Sequence, residues 1–231
     1  MAYNDHYKYG TREVTYGNSH AAYALITTDP STGLMTFDKP KELTGMVSVS
    51  FNKSKNATSI YADDITHMSL KGNTQVSGNI VFYQLEKNFY LKALGNTEHS
   101  DGLITDTGAT QNFAFMYLQT IHDQYGKETP KLIIYYNISA GAPTGESTTK
   151  TDSVSAKQFS LPMTALPNPA LIDSQTNEEI TTAEIVRDEK NAAFFDKWMD
   201  GVLVPKDIVG TVPTGAIQST TPADPKTAGD H

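Results

Sequence analysis

NFAFMYLQTI (112–121) and KLIIYYNI (131–138) are apolar or aromatic at almost every position. A strand with one wet face alternates polar and apolar residues. These two do not, so both of their faces must be covered. The cover is either a second layer of the same domain or a neighbouring subunit.

Working outward, the flanking segments alternate as half-buried strands do. In GMVSVSF (45–51), Val47, Val49 and Phe51 oppose Ser48 and Ser50; in QVSGNIVFY (75–83), Val76, Ile80 and Phe82 oppose Ser77 and Asn79. KQFSLPMTAL (157–166) sets Phe159, Leu161, Met163 and Ala165 against Gln158, Ser160, Pro162 and Thr164. Pro162 has no N–H to donate, which predicts an edge or a bulge there. Extended segments are also expected at Ala21–Thr27, Leu34–Phe37, Ser59–Ala62 and Thr66–Leu70. Turn signals at intervals of roughly 8–12 residues between short strands describe a β-sandwich or partly open barrel.

Two helices are predicted. LEKNFYLKALG (85–95) is short, with Gly95 placed to end it. The second is an amphipathic C-terminal helix opened by Thr181 and Glu184 at capping-box spacing and stopped by Gly201 and Pro205. Ile185, Ala192, Phe195, Met199 and Val202 share one face of it, with Phe194 and Trp198 as a second ridge. Residues 1–204 thus form one mainly β domain, followed by a Pro-, Thr- and Gly-rich tail over 205–231 that should bury little.

The chain's 231 residues carry a net charge of −8 and no cysteine. That excludes disulfides, thiolate metal sites and cysteine catalysis, and disfavours tight binding to nucleic acid. The N-terminal stretch MAYNDHYKYGTREV has no apolar run, so neither a signal peptide nor a membrane span is expected. Gly141-Ala-Pro-Thr-Gly145-Glu-Ser is one residue short of a phosphate loop, and an acid replaces its lysine. None of the six histidines is paired at metal-ligand spacing, and there is no nucleophile elbow. No catalytic residue, cofactor or metal site is expected. Sequons at Asn52, Asn56 and Asn137 are read as chance matches in a Ser/Thr-rich chain. Asp63 and Asp64, adjacent on an extended segment, would point to opposite faces. A solvated turn or a polar contact between subunits suits them better than a metal pair.

Taken together, YGNSHAAYALIT (16–27), SIYADDI (59–65), VSGNIVFYQLEKNFYLKALG (76–95), FAFMYLQ (113–119), KLIIYYNISAGAPTGESTTKTDSVSAKQFSLPMTALP (131–167) and FFDKWMDGVLVP (194–205) resemble, in order and spacing, a known family. It is the major tail protein, or tail-tube subunit, of long non-contractile-tailed bacteriophages, common in phages of Gram-positive bacteria. The resemblance implies a non-enzymatic virion protein whose homohexameric rings stack into a tube. Its implied partners are a tape-measure protein, the tail-tip or distal tail proteins and a tail-terminator protein. Phage DNA would pass transiently through the lumen without specific binding, after assembly in the host cytoplasm. The acidic balance would make a wall that holds no phosphate. Other readings are a tube subunit of a contractile injection system and a carbohydrate- or host-binding module on the virion surface.

Within this frame the long polar loop 139–156 is an arm that docks on a neighbour. An N-terminal arm over about 1–18 and another at Leu171–Glu179 are further candidates. The subunit-interface residues expected are Tyr16, Tyr61, Asp63, Asp64, Thr144, Glu146, Thr149 and Lys150.

Overall fold

The computed structural model describes residues 12–62, 65–145 and 156–219. Its elements in chain order are β1 (Glu13–Thr28), β2 (Met35–Phe37), β3 (Lys41–Leu43), β4 (Met46–Ala62), β5 (Ile65–Phe82) and α1 (Lys87–Lys92), then β6 (Thr97–Glu98), β7 (Ile104–Thr105), β8 (Phe113–Asp123), β9 (Glu128–Ala140) and β10 (Thr144–Gly145). They continue with β11 (Phe159–Ala165), β12 (Asn168–Asp173), β13 (Glu179–Ile180), β14 (Thr182–Val186), α2 (Ala192–Phe195), β15 (Val202–Val204), β16 (Ile208–Val209) and β17 (Ala216–Gln218).

The main sheet is antiparallel and runs β2-β1-β8-β9-β11-β5-β4, with β3 on β1, β10 on β11 and β14 on β9. It bends at β9, whose far edge pairs with β14 over Lys131–Tyr135 and with β11 over Ile138–Ala140. The sheet does not close into a barrel; it folds over as a sandwich.

The two strands without a wet side lie in the middle layer. On β8, Phe113, Phe115 and Tyr117 enter one apolar cluster, while Ala114, Met116 and Leu118 enter another. On β9, Ile133 and Tyr135 face the first cluster, and Leu132, Ile134 and Tyr136 the second. The first cluster is closed by β4, β5 and β11, through Phe51, Ile80, Phe82 and Leu161, and by Phe89 of α1. The second is closed by Leu171, Phe195 and Val202–Val204. Both covers come from the chain's own domain, so the double burial needs no neighbouring subunit.

Helix α1 forms as expected at its C-terminal end. Gly95 has φ +68°, and the Asn96 N–H reaches the Leu91 carbonyl in a Schellman-type closure. Its N-cap is Glu86, whose carboxylate accepts from the backbone N–H groups of Asn88 and Phe89. A glutamate in that role is not an expected cap residue.

The amphipathic C-terminal helix is not formed. Thr182–Val186 is strand β14, with Ala183 and Ile185 turned into the second cluster and Glu184 more exposed. β9 offers an unpaired edge there, and pairing satisfies more backbone groups than an isolated helical turn could. The Thr181 carbonyl accepts from the Tyr136 N–H, so Thr181 serves the sheet, not a cap. Asp188 and Asn191 exchange side chain-to-backbone hydrogen bonds and turn the chain, leaving only the four-residue α2. The apolar residues assigned to that helix still converge: Ile185, Phe194, Phe195, Trp198, Met199 and Val202 all belong to the second cluster.

Other expectations are corrected as well. The chain after Pro205 is not loose throughout, because Ile208, Val212, Ala216 and Ile217 pack on the second cluster, and β17 pairs in parallel with β15. Residues 220–231 lie outside the described residues. Leu171–Glu179 is no arm: Leu171 is fully buried in β12, which pairs with β13. Residues 13–18 of the expected N-terminal arm belong to β1 and pair with β8; 1–11 lie outside the described residues. Val47 is exposed, because a bulge between Met46 and Ser48 throws it out of the alternation.

Pro162 lies inside the sheet instead of on an edge strand, opposite Asn79 of β5. Its missing N–H falls where β9 has ended and β10 has not begun, and its carbonyl accepts from the Gly141 N–H. The edge demanded by its chemistry is therefore local. Ser59–Ala62 and Thr66–Leu70 are not separate strands; they are the distal parts of β4 and β5.

Candidate functional site: the assembly surfaces

The described part of the long hairpin is the first candidate. β4 and β5 pair from Met46 with Phe82 to Ala62 with Ile65, with slips at Lys55/Ala57 and Ile60/Tyr61. β11 accompanies β5 only over Val76–Phe82. Beyond Val76 the two strands pair only with each other among the described residues.

Tyr61 is on this ribbon, its backbone paired with Thr66. Asp63, Asp64, Glu146, Thr149 and Lys150 lie outside the described residues. Tyr16 stands on the exposed start of β1. Its hydroxyl donates to Glu128 Oε1 at 2.7 Å, and its ring meets the edge of His122 at 6.2 Å. The hydrogen bond to Glu128 raises the Tyr16 pKa. Thr144, on β10, pairs with Ser160 and donates its hydroxyl to the Ser160 carbonyl at 3.2 Å. The three described candidates thus sit on three different elements, β1, β4 and β10.

Around them, the exposed ion pairs are structural. Arg187 grips Asp196 with two bonds of 2.9 Å, and this contact lowers the Asp196 pKa. Lys131 meets Glu184 at 2.7 Å across β9 and β14. Asp29 is pulled down to about 2 by the hydroxyl and N–H of Ser31, which builds the turn after β1. Among the described residues, no three His, Asp or Glu side chains stand close enough to hold a metal ion, and no helix is long and apolar enough to cross a membrane. Asn137 is buried at a bulge between hydrogen bonds from Asn112 and to the Pro167 carbonyl, which excludes it as a glycan acceptor in the folded chain.

Sequence reasoning missed the length of the ribbon. Its extended segments at 45–51, Ser59–Ala62, Thr66–Leu70 and 75–83 were read as separate, whereas they are continuous within β4 and β5.

A family model described as phage tail tube protein matches residues 5–212. The chain belongs to that family. It is a structural, non-enzymatic protein of the phage tail that self-assembles into the tube. No curated protein matches the chain significantly.

Proposed function

We propose that the subunit forms hexameric rings that stack into the tail tube of a long, non-contractile-tailed phage of a Gram-positive host, and that the genome passes through the tube into the cell. The rings would enclose a tape-measure protein and end against tail-tip and tail-terminator proteins.

The carrying observation is the β4–β5 ribbon. Past Val76 it continues to Ala62 and Ile65 with no third strand among the described residues, a length of roughly 30 Å at about 3.3 Å per residue. A lone two-stranded hairpin is marginal in water and exposes two unpaired edges. Docking on a neighbouring copy removes both problems, and a head-to-tail contact of this kind generates rings and stacks.

Negative-stain electron microscopy of the concentrated protein, with its mass in solution, tests this. Hollow tubes or stacked six-fold rings are expected. Monomers that still fail to extend supplied tail tips would overturn the proposal and favour a virion-surface binding module.

A further inference from the structure

A groove of about 560 Å³ opens at the end of the layer made by β4, β5 and β11. Tyr83 and Leu85 line it from the segment between β5 and α1, Tyr90 from α1, Pro143 from the turn before β10, and Lys157 and Phe159 from the start of β11. Leu85 packs on the first cluster beneath, while Tyr83 is exposed. The Lys157 ammonium lies over the Phe159 ring, 4.8 Å from its centre. Gly145 leaves room for this pair, since a Cβ there would stand 3.1 Å from Phe159 Cδ1 and 3.2 Å from Lys157 Cε. Gln158 Nε2 donates to the Tyr83 hydroxyl at 3.4 Å and links the two walls. None of the lining residues is acidic.

Aromatic rings beside a proline form the kind of groove on which P-x-x-P segments dock. In polyproline II three residues make one turn, which puts the two prolines of such a segment on one edge, about 9 Å apart. Of the chain's 11 prolines, only Pro222 and Pro225 stand three apart. They fall in 220–231, outside the described residues, and the other undescribed segments, 1–11, 63–64 and 146–155, hold no proline. Asp224, between the two prolines, complements Lys157 at the groove.

Reach decides whose groove receives the segment. Ala216 and Ile217 of β17 pack on the second cluster, on the opposite side of β8 and β9 from the groove. Two sheet spacings, about 20 Å, separate the outer layers. Pro222 is three residues beyond Ser219, so it stands at most about 11 Å from it. The subunit's own groove is out of range, and a second copy's is not.

We propose that residues 220–231 of one subunit dock, through Pro222 and Pro225, in the Tyr83–Phe159 groove of a neighbouring copy. This rests on self-assembly into the tube, and it adds a contact in which every subunit both gives a segment and receives one. Segment and groove are different surfaces, so the contact is head-to-tail.

A labelled Ser219–His231 peptide, titrated into dilute native subunits and followed by fluorescence polarisation, tests the groove. Saturable binding is expected. It should weaken about tenfold for Tyr83→Ala subunits and for a peptide carrying Pro222→Ala and Pro225→Ala. Lys157→Glu, at an exposed side chain, should weaken the native peptide and prefer one carrying Asp224→Lys. Absence of saturable binding, or binding indifferent to the prolines or to both groove variants, overturns the proposal. The titration needs no tubes, so it judges the groove separately from assembly.

The chain has no cysteine, so a pair placed by substitution reports the contact in full-length protein. Gln84→Cys/Thr221→Cys chains, assembled and bridged with a short bismaleimide, should give a ladder of covalent oligomers. Gln124→Cys/Thr221→Cys chains, with the first thiol in the exposed β8–β9 turn, should not. Bridging within single chains alone, no bridging at all, or equal ladders from both pairs would each contradict docking on a neighbour.

Discussion

Tyr23 donates its hydroxyl to Glu86 Oε2 at 2.8 Å, and the same oxygen accepts the Phe89 N–H at the start of α1. One carboxylate therefore joins β1 of the middle layer to the helix over the first cluster. Tyr23, Phe89 and Phe113 meet edge to face at 4.9, 6.5 and 5.0 Å, and their packing fixes where the carboxylate must be. Burial and this hydrogen bond raise the Tyr23 pKa, so the phenol stays a donor across the physiological range.

Replacing Glu86 by Ala should cost about 1–2 kcal/mol, the usual loss for a cap that also accepts a side-chain donor. Burial alone would raise the Glu86 pKa, but the hydrogen bonds from Tyr23, Phe89 and Asn88 outweigh it and leave it lowered. A carboxyl whose folded pKa lies below its unfolded one stabilises above the unfolded pKa, near 4.3, and loses this as pH falls through the folded value. Urea unfolding of the native chain should therefore weaken below about pH 4 more steeply than that of Glu86→Gln. Parallel pH profiles would assign the acid sensitivity elsewhere.

Tyr136 ties the middle layer to the third. Its side chain is fully buried, and its hydroxyl donates to the Leu203 carbonyl at 2.9 Å. Tyr136→Phe keeps the ring and removes one buried hydrogen bond, so a loss of about 1 kcal/mol is expected. Tyr136→Leu should cost more, through lost packing as well. Equal midpoints for Tyr136→Phe and the native chain in denaturant would show the bond to be neutral.

Gly78 carries the closest approach inside the first layer. It pairs with Phe51, and a Cβ added there would collide with the Ser50 carbonyl and the Phe51 backbone. Phe51 covers the bare position and stacks on Tyr135 at 4.2 Å, so the clash would be transmitted to the core. Gly78→Ala is expected to cost about 2 kcal/mol or more. Gly102→Ala, in an open turn with φ +83°, should cost about 1 kcal/mol. A larger loss at Gly102, measured by thermal unfolding, would mean that β4 slides away from the added methyl.

The fold class was legible because β8 and β9 state their double burial outright, and because Val76, Ile80 and Phe82 keep strict period two through the strand. Two places were not. Between Thr182 and Val202 the apolar residues meet a helical period by coincidence. A strand, a turn and a short helix deliver the same residues to one cluster, and single-sequence periodicity cannot separate the two routes. After Pro205, composition suggested a loose tail, yet short segments such as Ala216–Gln218 bury themselves against an existing edge without a pattern of their own. The candidate interface residues were chosen largely from a resemblance. Tyr16 and Thr144 bond within their own subunit, and nothing in local sequence distinguishes such a contact from one to a neighbour.

The C-terminal strands give the sharpest test of that second misreading. β17 lies alongside β15 with Val202, Leu203 and Val204 beside Ala216, Ile217 and Gln218, and Gln218 Nε2 donates to the Pro205 carbonyl at 3.1 Å. Gly215, at φ +82°, fits against the Phe37 carbonyl where no side chain could, and Phe37 in turn donates its N–H to Thr214. A chain ending at Lys206 would strip Ile208, Val212, Ala216 and Ile217 from the second cluster and expose the edge of β15. With burial of one aliphatic side chain contributing about 1.5–3 kcal/mol when complete, and these only partly buried, a loss of several kcal/mol and aggregation on heating are expected. A chain ending at Ser219 keeps every one of these contacts and should melt like the full-length protein. If the Lys206 truncation also matched the full-length melting curve, the packing of β16 and β17 would contribute nothing to stability.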